Sequence, residues 1–178
     1  MNELINQLSR GDVVVVETDT IYGIVGQALN EKTVERIYTL KKRSPSKPFI
    51  ILISEISDVE KFGVQVDDQL RTRLASYWSG PVSIILDCPG EQFAYLHRGT
   101  HTLAFRLPSK KSLIDIIDHT GPLVAPSANP QGLPPADSKQ MVKTYFQNKI
   151  NFYNIGQGSG AASRIIRISG DSEEIIRA

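Results

Sequence analysis

The stretch Lys41-Lys42-Arg43-Ser44-Pro45-Ser46-Lys47-Pro48-Phe49-Ile50-Ile51-Leu52-Ile53 joins two patterns of different period. Upstream, Val34, Ile37, Tyr38 and Leu40 follow helical spacing behind Asn30, a residue suited to cap a helix N-terminus. Downstream, Phe49 to Ile53 is an unbroken apolar run of strand length. A helix handing over to a buried strand is the working unit of α/β folds. Between the two, four cations fall within seven positions of a chain whose net charge is only +1. Cations held between a helix end and a strand start are placed to meet phosphate or carboxylate. The same composition suits a solvated helix C-terminus, where Lys and Arg favour the macrodipole. The rest of the sequence decides between these readings.

The alternation continues in both directions. Leu4, Ile5 and Leu8 mark a short helix closed by Gly11. Val13 to Val16 is β-branched throughout and suits a strand buried on both faces. Glu17 to Gly23 reads as a polar turn. Asp67 caps a helix presenting Leu70, Leu74, Tyr77 and Trp78, ended by Ser79-Gly80-Pro81, and Val82 to Leu86 is the next strand. The chain from Cys88 through Gly99 reads as irregular. Thr102 to Leu107 is a strand stopped by Pro108, and Ser109 caps a helix burying Leu113, Ile114, Ile116 and Ile117. Leu123 to Ala125 is a short strand stopped by Pro126, and a Pro/Gly/Asn-rich loop, Pro126 to Pro135, follows, long enough to suggest function. A helix from Asp137 or Ser138 to Phe146 and strands at 150–155, 164–168 and 174–177 complete the chain, with the Gly-rich segment Gly156 to Gly160 between the first two strands. Interleaved helices and strands predict an α/β (α+β) fold around one mixed, twisted sheet. No repeat or linker divides the chain, so one domain is expected over residues 1–178.

Composition narrows the function classes. Hydrophobic residues make up 40% and charged residues 22%, as in ordinary globular proteins. Twenty basic against nineteen acidic residues argue against a general nucleic-acid coat, though not against a local basic patch. A single cysteine, Cys88, excludes an internal disulfide and a Cys-rich zinc site, so a reducing, cytoplasmic setting is expected. The apolar runs are far shorter than the roughly 20 residues of a membrane span, and no membrane association is expected.

Neither G-x-x-x-x-G-K-[ST] nor a strand-G-x-G-x-x-G-helix arrangement occurs. His97, His101 and His119 show no metal-ligand spacing with carboxylates, and no metal site is expected. What remains are polar clusters beside apolar runs: Thr18-Asp19-Thr20, the basic segment, Ser127-Ala128-Asn129 and Ser163-Arg164. Hydroxyl and amide groups at strand ends are typical ligand groups in α/β folds. Singly, each also suits an ordinary turn.

Five motifs in order resemble the YrdC-like family, the threonylcarbamoyl-adenylate synthases of tRNA modification. They are Glu17-Thr18-Asp19-Thr20-Ile21-Tyr22-Gly23, Lys41-x-Arg43, Gly80-Pro81-Val82-Ser83, Leu103-Ala104-Phe105-Arg106-Leu107-Pro108 and Ala125-Pro126-Ser127-Ala128-Asn129. The resemblance implies a YrdC-like domain with a concave basic cleft. It implies synthesis of threonylcarbamoyl-AMP and pyrophosphate from L-threonine, bicarbonate and ATP, for the N6-threonylcarbamoyladenosine modification of tRNA. Mg²⁺ would be carried by the nucleotide, and no protein nucleophile is needed. By similarity, Lys41 and Arg43 are the catalytic phosphate ligands. Lys47, Thr102, Asn129 and Ser163 join them in binding ATP, and Thr20, Arg106 and Ser127 bind threonine. Contact with tRNA or other RNA, and hand-off to other tRNA-modification proteins, would follow. Glu17 stands where the family has proline, Asp19 where it has glutamate, Lys47 where asparagine is common and Leu52 where longer relatives carry histidine. A rival reading is an RNA-binding module of the same fold without synthase activity. The multidomain carbamoyltransferase of hydrogenase maturation, which contains such a domain, needs Cys-rich zinc modules that this chain lacks.

Overall fold

The computed structural model describes residues 1–178. Nine strands form one mixed sheet in the order β7-β1-β2-β6-β3-β5-β4-β8-β9. These are β1 Val14–Glu17, β2 Tyr22–Gln27, β3 Ile50–Leu52, β4 Val82–Asp87, β5 Thr102–Arg106, β6 Leu123–Val124, β7 Asn151–Tyr153, β8 Arg164–Ser169 and β9 Ser172–Arg177. The helices are α1 Asn2–Ser9, α2 Glu31–Lys41, α3 Asp68–Tyr77, α4 Ala94–His97, α5 Lys111–Thr120 and α6 Lys139–Phe146. Strand pairs β1/β7, β3/β5 and β4/β8 are parallel and the others antiparallel. None of the helices is long and apolar enough to cross a membrane.

The β-branched run at 13–16 does what its composition predicts. Val13 and Val15 enter the larger core on one face, while Val14 and Val16 enter a smaller core on the other. Period-two alternation at β3 repeats the split, with Ile51 and Ile53 on one side and Leu52 on the other. The larger core is covered by α2 and α3, through Val34, Ile37 and Leu74. The smaller one is closed by Leu4 and Leu8 of α1 and by Leu113, Ile116 and Ile117 of α5. Asn30 and Asp67 cap α2 and α3 as expected, accepting from the amides of Thr33 and Leu70.

Three expectations are corrected. Residues 22–27, read as the tail of a polar turn and beyond, form β2, paired antiparallel with β1 through the turn at Thr18–Ile21. The reason is steric: a Cβ on Gly26 would lie 2.4 Å from Thr33 Cγ2, so glycine lets α2 lie directly on the strand. The Cys88–Gly99 stretch contains α4, preceded by one 3₁₀ turn over Glu91–Phe93. A second 3₁₀ segment, Ile56–Phe62, follows β3. Finally, α5 is not capped by Ser109. Its cap is Lys110, without a side-chain bond, and the Ser109 amide donates to Asp19 at 3.4 Å.

Candidate active site

Two turns and one loop meet at the end of β1, the starts of β2 and β3 and the end of β6, and Arg106 reaches them from the end of β5. The Thr18–Ile21 turn closes on itself: Thr18 Oγ1 lies 3.0 Å from Thr20 Oγ1 and donates to the Ile21 carbonyl at 2.7 Å. The Ser127 loop reaches it through a bridge from Ser127 to Gly23. The basic segment is tied to the same loop by Lys41. Its ammonium, 2% exposed, donates to the carbonyls of Ser127 and Asn129 and, at 3.3 Å, to Asn129 Oδ1. Burial, with Arg43 nearby, pushes the Lys41 pKa down to about 7.

The resulting cleft encloses about 290 Å³ and is lined by Arg43, Arg106, Arg177, Thr18, Thr20, Ser127 and Ser163, with apolar walls from Phe49, Ile50 and Ile165. It carries three guanidinium groups and no carboxylate in its lining. A second chamber of about 410 Å³ shares Thr20, Ile21, Pro135 and Ala162 with it and adds Glu17, Tyr22 and Asp137. A larger open hollow of about 650 Å³ beside Gln27 and Thr120 has no arginine and no buried charge.

Each arginine is held differently. Arg106 stands at the end of β5, 3% exposed, with Nη1 donating to Asp19 Oδ1 at 2.7 Å. Its Nε is buried with no partner. Burial lowers its pKa, and Asp19 opposes that shift. Arg43 leans over the Phe49 ring at 5.4 Å, with Nε and Nη2 donating to the carbonyls of Lys47 and Pro48. Arg177 comes from β9 and donates to the Ser163 carbonyl from Nε and Nη2. Ser163 is itself buried, its Oγ 2.9 Å from Ser83 Oγ.

A strap of glycines closes one side. The amides of Gly158, Ser159 and Gly160 donate to Glu17 Oε1, the Asp19 carbonyl and the Thr20 carbonyl. A Cβ on Gly158 would sit 2.6 Å from Thr18 O and 2.7 Å from Thr20 O, which is why glycine is required there. Lys110 pins the same region by donating to the carbonyls of Glu17, Thr18 and Gly156.

The structure thus brings together Thr20, Arg43, Arg106, Ser127 and Ser163 from the sequence-predicted set. The others stand apart. Lys41 is a strut whose donors already have protein acceptors. Asn129 is occupied within its loop, accepting from Ser127 Oγ at 2.6 Å and donating to the Pro130 and Leu133 carbonyls. Lys47 is exposed and contributes only its carbonyl, which accepts from Tyr38 and Arg43. Thr102 opens β5 at the end opposite Arg106 and bonds to Thr100. Leu52 belongs to the smaller core. Sequence reading missed Arg177 and Lys110, since nothing local marks a cation on an edge strand or before a helix as facing a site.

The Sua5/YciO/YrdC family model, described as telomere recombination, matches residues 6–178. A threonylcarbamoyl-AMP synthase of Coxiella burnetii is 30% identical over 85% of this chain and 82% of its own length. The threonylcarbamoyl-AMP synthase of Bacillus subtilis is 29% identical over 96% of this chain, which spans only 50% of that relative. Pyrococcus abyssi Sua5 complexed with L-threonine superposes with a TM-score of 0.84 at 26% identity, covering 98% of this chain and 52% of that protein. The sheet order, the paired motifs around the cleft and these matches lead to one conclusion: the chain belongs to the Sua5/YciO/YrdC family.

Proposed function

We propose that this chain is a threonylcarbamoyl-AMP synthase acting for the N6-threonylcarbamoyladenosine modification of tRNA. The observation that carries the reading is Arg106. A buried guanidinium with Asp19 on Nη1 and no protein acceptor on Nη2 is an incomplete pair, at the wall of a cleft lined with cations. Leaving such a donor without a partner is costly, and a carboxylate completes the fork. The threonine carboxylate is the proposed occupant, with Thr20 and Ser127 beside it.

In the proposed reaction the threonine amine and bicarbonate condense to a carbamate and release water. A carbamate oxygen then attacks the α-phosphorus of ATP, and the bond to pyrophosphate breaks. Arg43 and Arg177 hold the phosphates and meet the charge developing on the leaving group. Ser163 lies beside Arg177 on the nucleotide side. The cleft lining has no carboxylate, so its residues suit Mg²⁺ carried by phosphate oxygens rather than by the protein. Bound there, it would share the charge of the pyrophosphate. The product would pass to other tRNA-modification proteins.

The test is pyrophosphate release by the protein with ATP, Mg²⁺, bicarbonate and threonine. Release is expected only with both threonine and bicarbonate present, and release independent of either refutes the reading. Salt-sensitive RNA binding without that turnover would support the RNA-binding module instead. In direct binding measurements, Arg106→Ala should weaken threonine and Arg43→Ala should weaken ATP. Equal loss of both ligands in each variant would overturn the division of roles.

A further inference from the structure

Near the Thr102 end of β5, outside the lining of the cleft, the chain gathers Glu91, His97 and His101. One ligand atom from each lies within 4.8 Å of the other two. His97-x-x-x-His101 has a spacing that zinc ligands use, but the third ligand is not marked by it: the three come from the 3₁₀ turn, the end of α4 and the residue before β5. His97 is 1% exposed, and its Nε2 is buried with no hydrogen-bond partner. Its Nδ1 accepts the Gly99 N–H at 3.1 Å, and its ring centroid is 4.9 Å from that of His101. Glu91 Oε1 lies 3.7 Å from His101 Nδ1.

We propose that Glu91, His97 and His101 form a site for a divalent transition metal of the zinc class. Two imidazoles and a carboxylate are a borderline-soft donor set suited to Zn²⁺, with a fourth position open to water. Zinc–nitrogen bonds of about 2.0 Å require the ligand atoms to close by about 1 Å. His97 is the fixed anchor, while Glu91 and His101 are exposed and free to make that movement. Coordination has a structural consequence. Binding through Nε2 sends the ring proton to Nδ1, and binding through Nδ1 uses the lone pair that Gly99 now occupies. Either way the Gly99 amide loses its acceptor and the Arg98–His101 turn rearranges.

The test is titration of the full chain with Zn²⁺ by calorimetry, and with Co²⁺ by visible absorption. One equivalent is expected to bind, with a d–d band of four-coordinate intensity. Glu91→Ala and His101→Ala, both at exposed positions, are expected to weaken binding at least tenfold, while His119→Ala, remote in the same fold, leaves it unchanged. Faster exchange of the Gly99 amide on metal addition is the second readout. Absence of stoichiometric binding overturns the proposal. So does full affinity in both variants, an equal loss in His119→Ala, or a Gly99 amide unmoved by bound metal.

Discussion

Replacing Lys41 by Met should change how stability depends on pH, and the size of the change follows from burial. The folded protein lowers the Lys41 pKa from 10.5 to about 7, chiefly through desolvation and then through the Arg43 charge. That displacement corresponds to about 5 kcal/mol against the charged form. Below pH 7 the ammonium is charged in both folded and unfolded chains, and the whole cost opposes folding. As pH rises through 7 the folded chain releases the proton while the unfolded chain holds it up to 10.5. The folded state then binds fewer protons, so stability rises with pH across this window. Between pH 7 and pH 9 the expected gain is about 2 kcal/mol. Lys41→Met keeps the length of the side chain and removes the titration. Urea denaturation of both proteins at the two pH values isolates the term as a difference of differences, with the m-value as a check on the unfolded state. Parallel pH profiles for the two proteins would refute the argument. They would mean that the three acceptors at Ser127 and Asn129 fully compensate the ammonium for the loss of water.

Arg177→Ala should weaken ATP binding at least about tenfold, the value of one charge-assisted bond, with Arg177→Lys giving little recovery because it lacks the fork; unchanged ATP affinity by calorimetry would remove Arg177 from the site. Gly158→Ala places a methyl 2.6 Å from Thr18 O, so the strap should lift, with a loss of about 1–3 kcal/mol and faster exchange of the Ser159 and Gly160 amides. Unaltered exchange at those amides would show that the strap is not packed as described. Gly26→Ala should destabilise by about 1–3 kcal/mol through its clash with Thr33 Cγ2. Thr33→Ser, which deletes that methyl and keeps the hydroxyl bond to Gly11 O, should recover most of the loss in thermal unfolding. Additive losses would contradict the contact.

The parts of the fold legible in the sequence are those set by local chemistry. Asn30 and Asp67 cap their helices because the bond they make is three residues away. Val13–Val16 announces a two-faced strand because neighbouring side chains must enter opposite cores. β2 was illegible for the converse reason. Its Gly23 reads as the close of a polar turn, and the packing of Thr18 against Gly23 and of α2 against Gly26, which no local pattern marks, explains both glycines. The site follows the same rule. Thr20 and Ser127 sit inside two of the five motifs, in loops that strands position, so motif order points to them, whereas Ser163 lies outside every motif and joins the same cleft lining. Arg177 depends on β9 folding back along β8 to reach Ser163, which no spacing reveals. Glu91, His97 and His101 likewise converge only in the folded chain.

The basic segment was the first signal of function, yet charge alone did not say which cation serves which purpose. The folded chain separates them by side-chain chemistry. A lysine ammonium donates in three divergent directions, which suits several carbonyls arranged around one point. Lys41 does this for the Ser127 loop and Lys110 for the Thr18 turn, so the two lysines fix the walls of the cleft. A guanidinium instead presents a planar fork, which can be anchored on one edge and still offer another to a planar anion. Arg43 and Arg177 are anchored by carbonyls and Arg106 by Asp19, and all three line the cavity. Exchanging the two cations should therefore fail in both directions. Lysine at 106 would keep the charge beside Asp19 but lose the fork. Arginine at 41 would force a larger group into a space that is already 2% exposed. The conserved charge in such an exchange makes it a sharper probe than alanine, because any loss must come from geometry rather than from the field.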